Sequence, residues 1–259
     1  MPDVEGRDHM GTNFKVHSIR LGTIRADKSG TVAGFPPGTI IDVPIWAAAI
    51  EGNGRKLLVD TGLKDAAKWS RYDEHTLEPD QVIGKALSEL GWRLKDVDIV
   101  INSHLHYDHA ENNTAFPGAQ FYVSQAEWEF AQDPSSGQAW AYDIDWTSPD
   151  ITYMNYTLIN ADHYDVQPGI RVIKTPGHTP GHQSVLVQTD EGVLCVTGDA
   201  ACMMENLTIP TPPGTHISKG TALDSLKKIS QLSDRVLMNH DPELTGYQNS
   251  SFPLTPSIV

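Results

Sequence analysis

The chain of 259 residues has only two cysteines, Cys195 and Cys202. That excludes a disulfide-stapled scaffold and makes a reducing cytoplasm the expected setting. No apolar run approaches the roughly 18 residues that a membrane-spanning helix needs. The opening MPDVEGRDHM is polar and lacks the apolar segment of a secretory leader. Residues 1–10 are therefore read as a disordered lead ahead of Met10, and residues 11–259 as one domain. Basic residues are scarce, with 19 Lys and Arg against 33 Asp and Glu and a net charge of −14. They form no patch or stripe, which argues against a nucleic-acid partner and an anionic membrane surface. The same charge disfavours polyanionic substrates, unless metal cations reverse it inside a pocket. GxGxxG and P-loop motifs are absent too, so no organic cofactor is expected.

What is present is a set of apolar segments with strand-like alternation, separated by turn signals. FKVHSIRL, IIDVPIWAAAI, RKLLV, DVDIVINSH and AQFYV read as strands, as do IRVIKT, QSVLVQT, GVLCV and RVLMN. DQVIGKALSELGW predicts a helix with Val82, Ile83, Ala86, Leu87 and Leu90 on one face, ending near Gly91. A second helix follows AQFYV, with Ser124 and Glu127 at capping-box spacing. A third, GTALDSLKKISQL, turns Leu223, Leu226 and Ile229 inward. Residues 132–165 show no clear period and read as an irregular excursion or lid. Its Trp140, Tyr142, Trp146, Tyr153 and Tyr156 line a substrate pocket or form the small core of the loop itself.

Four of the strand-like segments run into residues that bind metals: His104 in NSHLHYDHAEN, His178 in VIKTPGH, Asp199 in VLCVTGD and His240 in VLMNH. Side chains that follow strand ends can converge at one rim of a sheet stack. His104 and His106 stand two apart on extended chain and point the same way. Asp108 and His109 come after a turn and can face a second position. Imidazole nitrogen with carboxylate oxygen suits Zn²⁺, and also Fe²⁺, Mn²⁺ or Co²⁺. His104, His106, Asp108, His109, His178, Asp199 and His240 are too many for one four-coordinate ion, but they fit two ions sharing a bridging carboxylate, a two-metal hydrolytic site. By contrast His17, His75, His163 and His216 stand alone and read as core or surface residues, and Cys195 as core.

SHLHYDHAENN resembles the HxHxDH motif of the metallo-β-lactamase superfamily. LLVDTG, TPGHTPGHQS, TGDA and NHD occur in the order and at about the intervals of that superfamily. PGTIIDVPIW, TPGHTPGHQS and NHD are similar more narrowly to the N-acyl-homoserine lactonases, which are quorum-quenching enzymes. The resemblance implies an α/β fold, a four-layer αββα sandwich of two mixed β-sheets. It implies that His104, His106 and His178 hold one metal, that Asp108, His109 and His240 hold the other, and that Asp199 bridges them. It gives the ligand role in GHTPGH to His178 rather than His182, and makes Asp60 the group that orients a ligand histidine. The implied reaction is opening of a lactone ring, as in an N-acyl-homoserine lactone, by a hydroxide held between the metals. Asp108 would carry the proton to the leaving oxygen. A thioester, cyclic amide or phosphodiester hydrolase on the same scaffold is the alternative. The substrate partner in either case is a small molecule.

The chain departs from the lactonases at one position. Where they carry a tyrosine that stabilises the substrate carbonyl, three residues after the bridging aspartate, this chain has Cys202. A thiol is a weak donor, so the role is either unfilled or supplied by another group, for example Tyr107.

Overall fold

A computed structural model describes residues 14–135, 137–142, 154–244 and 251–254. The polar lead at 1–10, Trp146 and Tyr153 lie outside the described residues. The first sheet contains β1 (Lys15–Asp27), β2 (Ile40–Gly52), β3 (Arg55–Val59), β4 (Glu74–Thr76), β5 (Ile99–Ile101), β6 (Gln120–Ser124) and β7 (Asn155–Ile159). Their order across the sheet is β4-β1-β2-β3-β5-β6-β7. The pairs from β4 to β3 are antiparallel, and those from β3 to β7 are parallel. Parallel neighbours need long crossovers. Those here contain the helices α1 (Ala66–Trp69), α2 (Ile83–Glu89), α3 (Tyr107–Ala110) and α4 (Gln125–Gln132).

The second sheet contains β8 (His163–Gln167), β9 (Ile170–Lys174), β10 (Gln183–Thr189), β11 (Gly192–Val196), β12 (Arg235–Leu237) and β13 (Phe252–Pro253), in the order β13-β12-β11-β10-β9-β8. α5 (Met204–Thr208) and α6 (Lys219–Leu232) cross between the parallel β11 and β12.

Strand alternation sorts side chains into three apolar layers. Trp46, Ala48, Ile50, Leu57, Val59, Ile99 and Ile101 of the first sheet meet Val172, Val185, Val187, Leu194, Val196 and Leu237 of the second. The intervening Ala47, Ala49, Leu58 and Val100 face outward onto Ile83, Ala86 and Leu87 of α2. On the far side, Leu186, Cys195 and Val236 pack against Leu226 and Ile229 of α6. Central strands covered on both faces explain the unbroken apolar reading of IWAAAI and IVI. The arrangement is the αββα sandwich the sequence implies.

Three local expectations are corrected. Val82 is 46% exposed, because it precedes the first turn of α2 as its N-cap instead of joining the inward stripe. Ser124 is the N-cap of α4 but makes no side-chain capping bond, and Glu127 is drawn inward to other donors. The excursion is shorter than 132–165, since β7 and β8 supply edge strands within that range. Among the described residues, no helix is long and apolar enough to cross a membrane.

The topology places the ligand-type residues. β9 and β11 both run antiparallel to β10, so they share a direction, and β12 is parallel to β11. Their C-terminal ends therefore open on one rim, ahead of His178, Asp199 and His240. The end of β5 is tied to that rim where the Gln183 N–H donates to Ser103 O at 2.9 Å and its side-chain amide donates to Asn102 O at 2.8 Å.

Candidate metal centre

At this rim His104, His106, Asp108, His109, His178, Asp199 and His240 come together in three overlapping groups, with the facing atoms of each group within 4.8 Å of one another. One is His104, His106 and His178; a second is His104, His109 and Asp199; the third is Asp108, His109 and His240. All are buried. His106 is the extended N-cap of α3, and Asp108 and His109 lie on that single helical turn, with the His109 ring beside that of His104, centroids 4.1 Å apart. The Nε2 of His178 is 3.1 Å from His106 Nδ1 and 3.5 Å from Asp199 Oδ2. Asp199 Oδ1 lies 3.3 Å from His109 Nε2 and 3.2 Å from His240 Nε2. Asp108 Oδ2 is 3.5 Å from both of those nitrogens.

The far nitrogens fix the tautomers. His109 Nδ1 is 2.9 Å from Asp60 Oδ2, His178 Nδ1 is 2.7 Å from Thr215 O, and His240 Nδ1 is 2.8 Å from Pro44 O. Each partner only accepts, so each Nδ1 carries the proton in the neutral ring and each Nε2 turns a lone pair toward the centre. Asp60 is held in turn. Its Oδ1 accepts from the Ser103 N–H at 2.7 Å, and its Oδ2 also accepts from the Ser103 hydroxyl and the Asn239 amide at 2.7 and 3.0 Å. Asp60 thus accepts from His109, one of the histidines the resemblance makes a ligand; Ser103 and Asn239, which support it, carried no signal of their own.

Burial, and then the neighbouring imidazoles, push His104 and His106 well below the usual histidine range. Burial also opposes charge on His109 and His240, but the carboxylates, Asp199 foremost, outweigh it and raise both. For Asp199 burial is outweighed by His240 and His109, which hold its carboxyl well below the usual range. The carboxylate half of the cluster demands positive charge, while the imidazole half resists protonation. His104 Nε2 and Asp199 Oδ1 are buried with no hydrogen-bond partner. Neutral imidazole donors facing buried carboxylates, with unpartnered ligand atoms among them, fit divalent cations.

His182 stays outside the three groups. Its Nε2 accepts from the Asp199 N–H at 2.9 Å, and its Nδ1 lies 3.0 Å from the Thr175 hydroxyl. Burial pushes its pKa down to about 3, so it is a neutral prop for the Asp199 backbone. The isolated histidines fall as read: His17 and His75 are buried, His163 is exposed and His216 is half-buried.

A cleft of about 130 Å³ opens onto the cluster, lined in part by His106, Tyr107, Asp108, Trp140, Asp199 and Cys202. Cys202 thus faces the pocket, and Cys195 is core. Of the described excursion aromatics only Trp140 lines the cleft. Tyr142 sets its ring edge against His106, and Tyr156 packs on Phe121. The expectation for Tyr107 does not hold. His75 Nδ1 donates to Asp73 O at 2.7 Å, so His75 Nε2 is an acceptor and the Tyr107 hydroxyl, 2.7 Å away, gives its proton there.

Residues 40–238 match the metallo-beta-lactamase superfamily. The chain is 31% identical to an N-acyl homoserine lactonase of Bacillus cereus over 244 residues, 88% of this chain and 94% of the relative. It is 26% identical to the N-acyl homoserine lactonase AttM of Rhizobium radiobacter, covering 90% and 95% of the two chains. A solved N-acyl homoserine lactone hydrolase, with the product N-hexanoyl-L-homoserine bound at its catalytic metal centre, superposes with a TM-score of 0.77 at 27% identity, covering 90% of this chain and 95% of the other. The dizinc quorum-quenching lactonase AidC shares the fold, with a TM-score of 0.65 at 17% identity over 96% and 98% of the two chains. With its sandwich, its rim of buried histidines and aspartates and this match, the chain belongs to the metallo-β-lactamase superfamily.

Proposed function

We propose that this metal-dependent hydrolase opens lactone rings, with an N-acyl-homoserine lactone or a close relative as substrate, using two divalent ions. His104, His106 and His178 would hold one ion, Asp108, His109 and His240 the other, and Asp199 would bridge them. When bound, such a pair lowers the pKa of water to about 7 and takes up charge on a carbonyl oxygen. The chain's own groups prepare that chemistry. Asp60, Thr215 O and Pro44 O orient the imidazoles, and His182 fixes the backbone of Asp199. Asp108 lines the cleft and is the carboxylate placed to carry a proton to the leaving alkoxide. Cys202 also lines the cleft but donates weakly, and the Tyr107 proton is committed to His75, so neither side chain polarises the substrate carbonyl.

The observation that carries the substrate reading is the cleft lining, which among the described residues has Asp27 and Asp73 but no Lys or Arg. A phosphodiester or an anionic thioester would meet no cationic side chain there, whereas a neutral lactone needs none. The lactonase names of the relatives point the same way. The test is a panel of lactones, thioesters and phosphodiesters of similar size at equal metal loading, with Zn²⁺, Fe²⁺, Mn²⁺ and Co²⁺ compared. Lactones should turn over fastest. A tenfold preference for either other class, about 1.4 kcal/mol in the barrier, would overturn the reading.

A further inference from the structure

Glu127 is a fully buried carboxylate outside the three ligand groups. It sits in the first turn of α4, on the buried side of the helix. Its Oε1 accepts from the Leu105 N–H at 3.0 Å and from the Tyr142 hydroxyl at 2.8 Å. Its Oε2 accepts from the Thr179 hydroxyl at 2.5 Å. The Gly181 backbone N–H also favours the charged form of the carboxyl, against the burial that raises its pKa. Leu105 stands between His104 and His106, and Thr179 follows His178. Tyr142 holds its ring edge-on to His106, centroids 4.7 Å apart at 77°. The three donors thus come from the His104–His106 loop, the His178 loop and the end of the excursion.

The approach is close enough to exclude other residues. A Cβ on Gly181 would lie 2.0 Å from Glu127 N, so only glycine lets the His178 loop rest on the start of α4. The excursion is pinned to the same loop a second time, where the Gln138 amide donates to His178 O at 2.7 Å. Ala141 and Trp140, between these two anchors in sequence, line the cleft. The Leu105 N–H can only donate, and an ionised carboxylate offers it and both hydroxyls a charged acceptor that a carboxamide does not. Groups that orient metal ligands in this way change metal affinity by about 10–100-fold when altered.

We propose that Glu127 is a positioning residue for the metal centre: its carboxylate ties the His104–His106 loop to the His178 loop, and through Tyr142 it fixes the adjoining wall of the substrate cleft. The proposal rests on the metal assignment above, not on the identity of the substrate.

The test uses the full chain loaded with Co²⁺, whose visible absorption reports ligand geometry. Glu127→Gln should bind cobalt about 10–100-fold more weakly and show a changed visible spectrum while keeping its circular dichroism. Thr179→Val removes one donor without touching the carboxylate and should shift affinity the same way by a smaller factor. Tyr142→Phe frees only the wall, so the cobalt affinity and spectrum should match the parent while KM for a lactone rises and kcat holds. Parental cobalt affinity and spectrum in Glu127→Gln overturn the proposal; if that variant does not fold, the same result in Thr179→Val does so. An unchanged KM in Tyr142→Phe overturns the wall component. A parent that binds two cobalt ions but opens no lactone overturns the substrate reading and leaves the cobalt comparison intact.

Discussion

Replacing Asp60 by Asn tests how much the centre depends on a residue that would touch no metal. Asp60 has φ of +65°, a region that Asn enters more readily than most residues. Backbone strain therefore drops out of the comparison, as it would not for Ala. The carboxylate accepts from Ser103 N, the Ser103 hydroxyl, His109 Nδ1 and Asn239 Nδ2. An amide cannot accept all four. In its better orientation the NH₂ faces the Ser103 N–H, and the remaining oxygen keeps three bonds without a full charge. A buried donor left unpaired costs about 1–3 kcal/mol, and each bond that loses its charge assistance gives up about 1 kcal/mol. The sum is about 5 kcal/mol, or roughly 10–20 °C in Tm for a chain of this size. The oxygen that holds the His109 ring loses its full charge and orients the imidazole less firmly, so metal affinity should fall by about 10–100-fold. Thermal unfolding of metal-free protein and chelator competition measure the two effects separately. An Asn variant that melts within 2 °C of the parent (roughly 1 kcal/mol) and binds metal equally well would refute the reasoning.

Elemental analysis of protein purified without chelator should approach about two divalent ions per chain; removing them should abolish lactone opening, and a single ion with full activity would end the paired-metal reading. Asp199→Asn should release at least one ion and lower turnover at least tenfold. His182→Ala should keep both ions and cost about 1–3 kcal/mol of stability, because its Nε2 acts through the Asp199 N–H; metal loss in His182→Ala but not in His178→Ala would reverse the ligand assignment. Cys202→Ala should retain activity within about threefold, since a thiol donates weakly, and a loss beyond tenfold by steady-state assay would show the thiol to matter.

The sequence by itself determined the layers and the ligand-type cluster. Period-two alternation in segments such as RKLLV and GVLCV must place successive side chains on opposite faces, and HLHYDH has no packing explanation. Local pattern failed where a residue's partner lies far along the chain. Glu127 looks like a capping residue because Ser124 precedes it by three, yet its carboxylate is taken by Leu105, Tyr142 and Thr179. Val82 fits a helical stripe, but the helix starts one residue later and leaves it exposed. Tyr107 is a plausible donor until His75, thirty-two positions away, takes its proton. His178 and His182 occur in the same GH context; the resemblance favours His178 as the ligand, and the fold supplies the physical difference. The turn after β9 carries His178 to His106 and Asp199 Oδ2, whereas His182, next to the start of β10, meets the backbone N–H of Asp199 and the Thr175 hydroxyl. Hydrogen-bond donors and acceptors are chosen by distance in space, and that distance exists only once the two sheets have closed on each other.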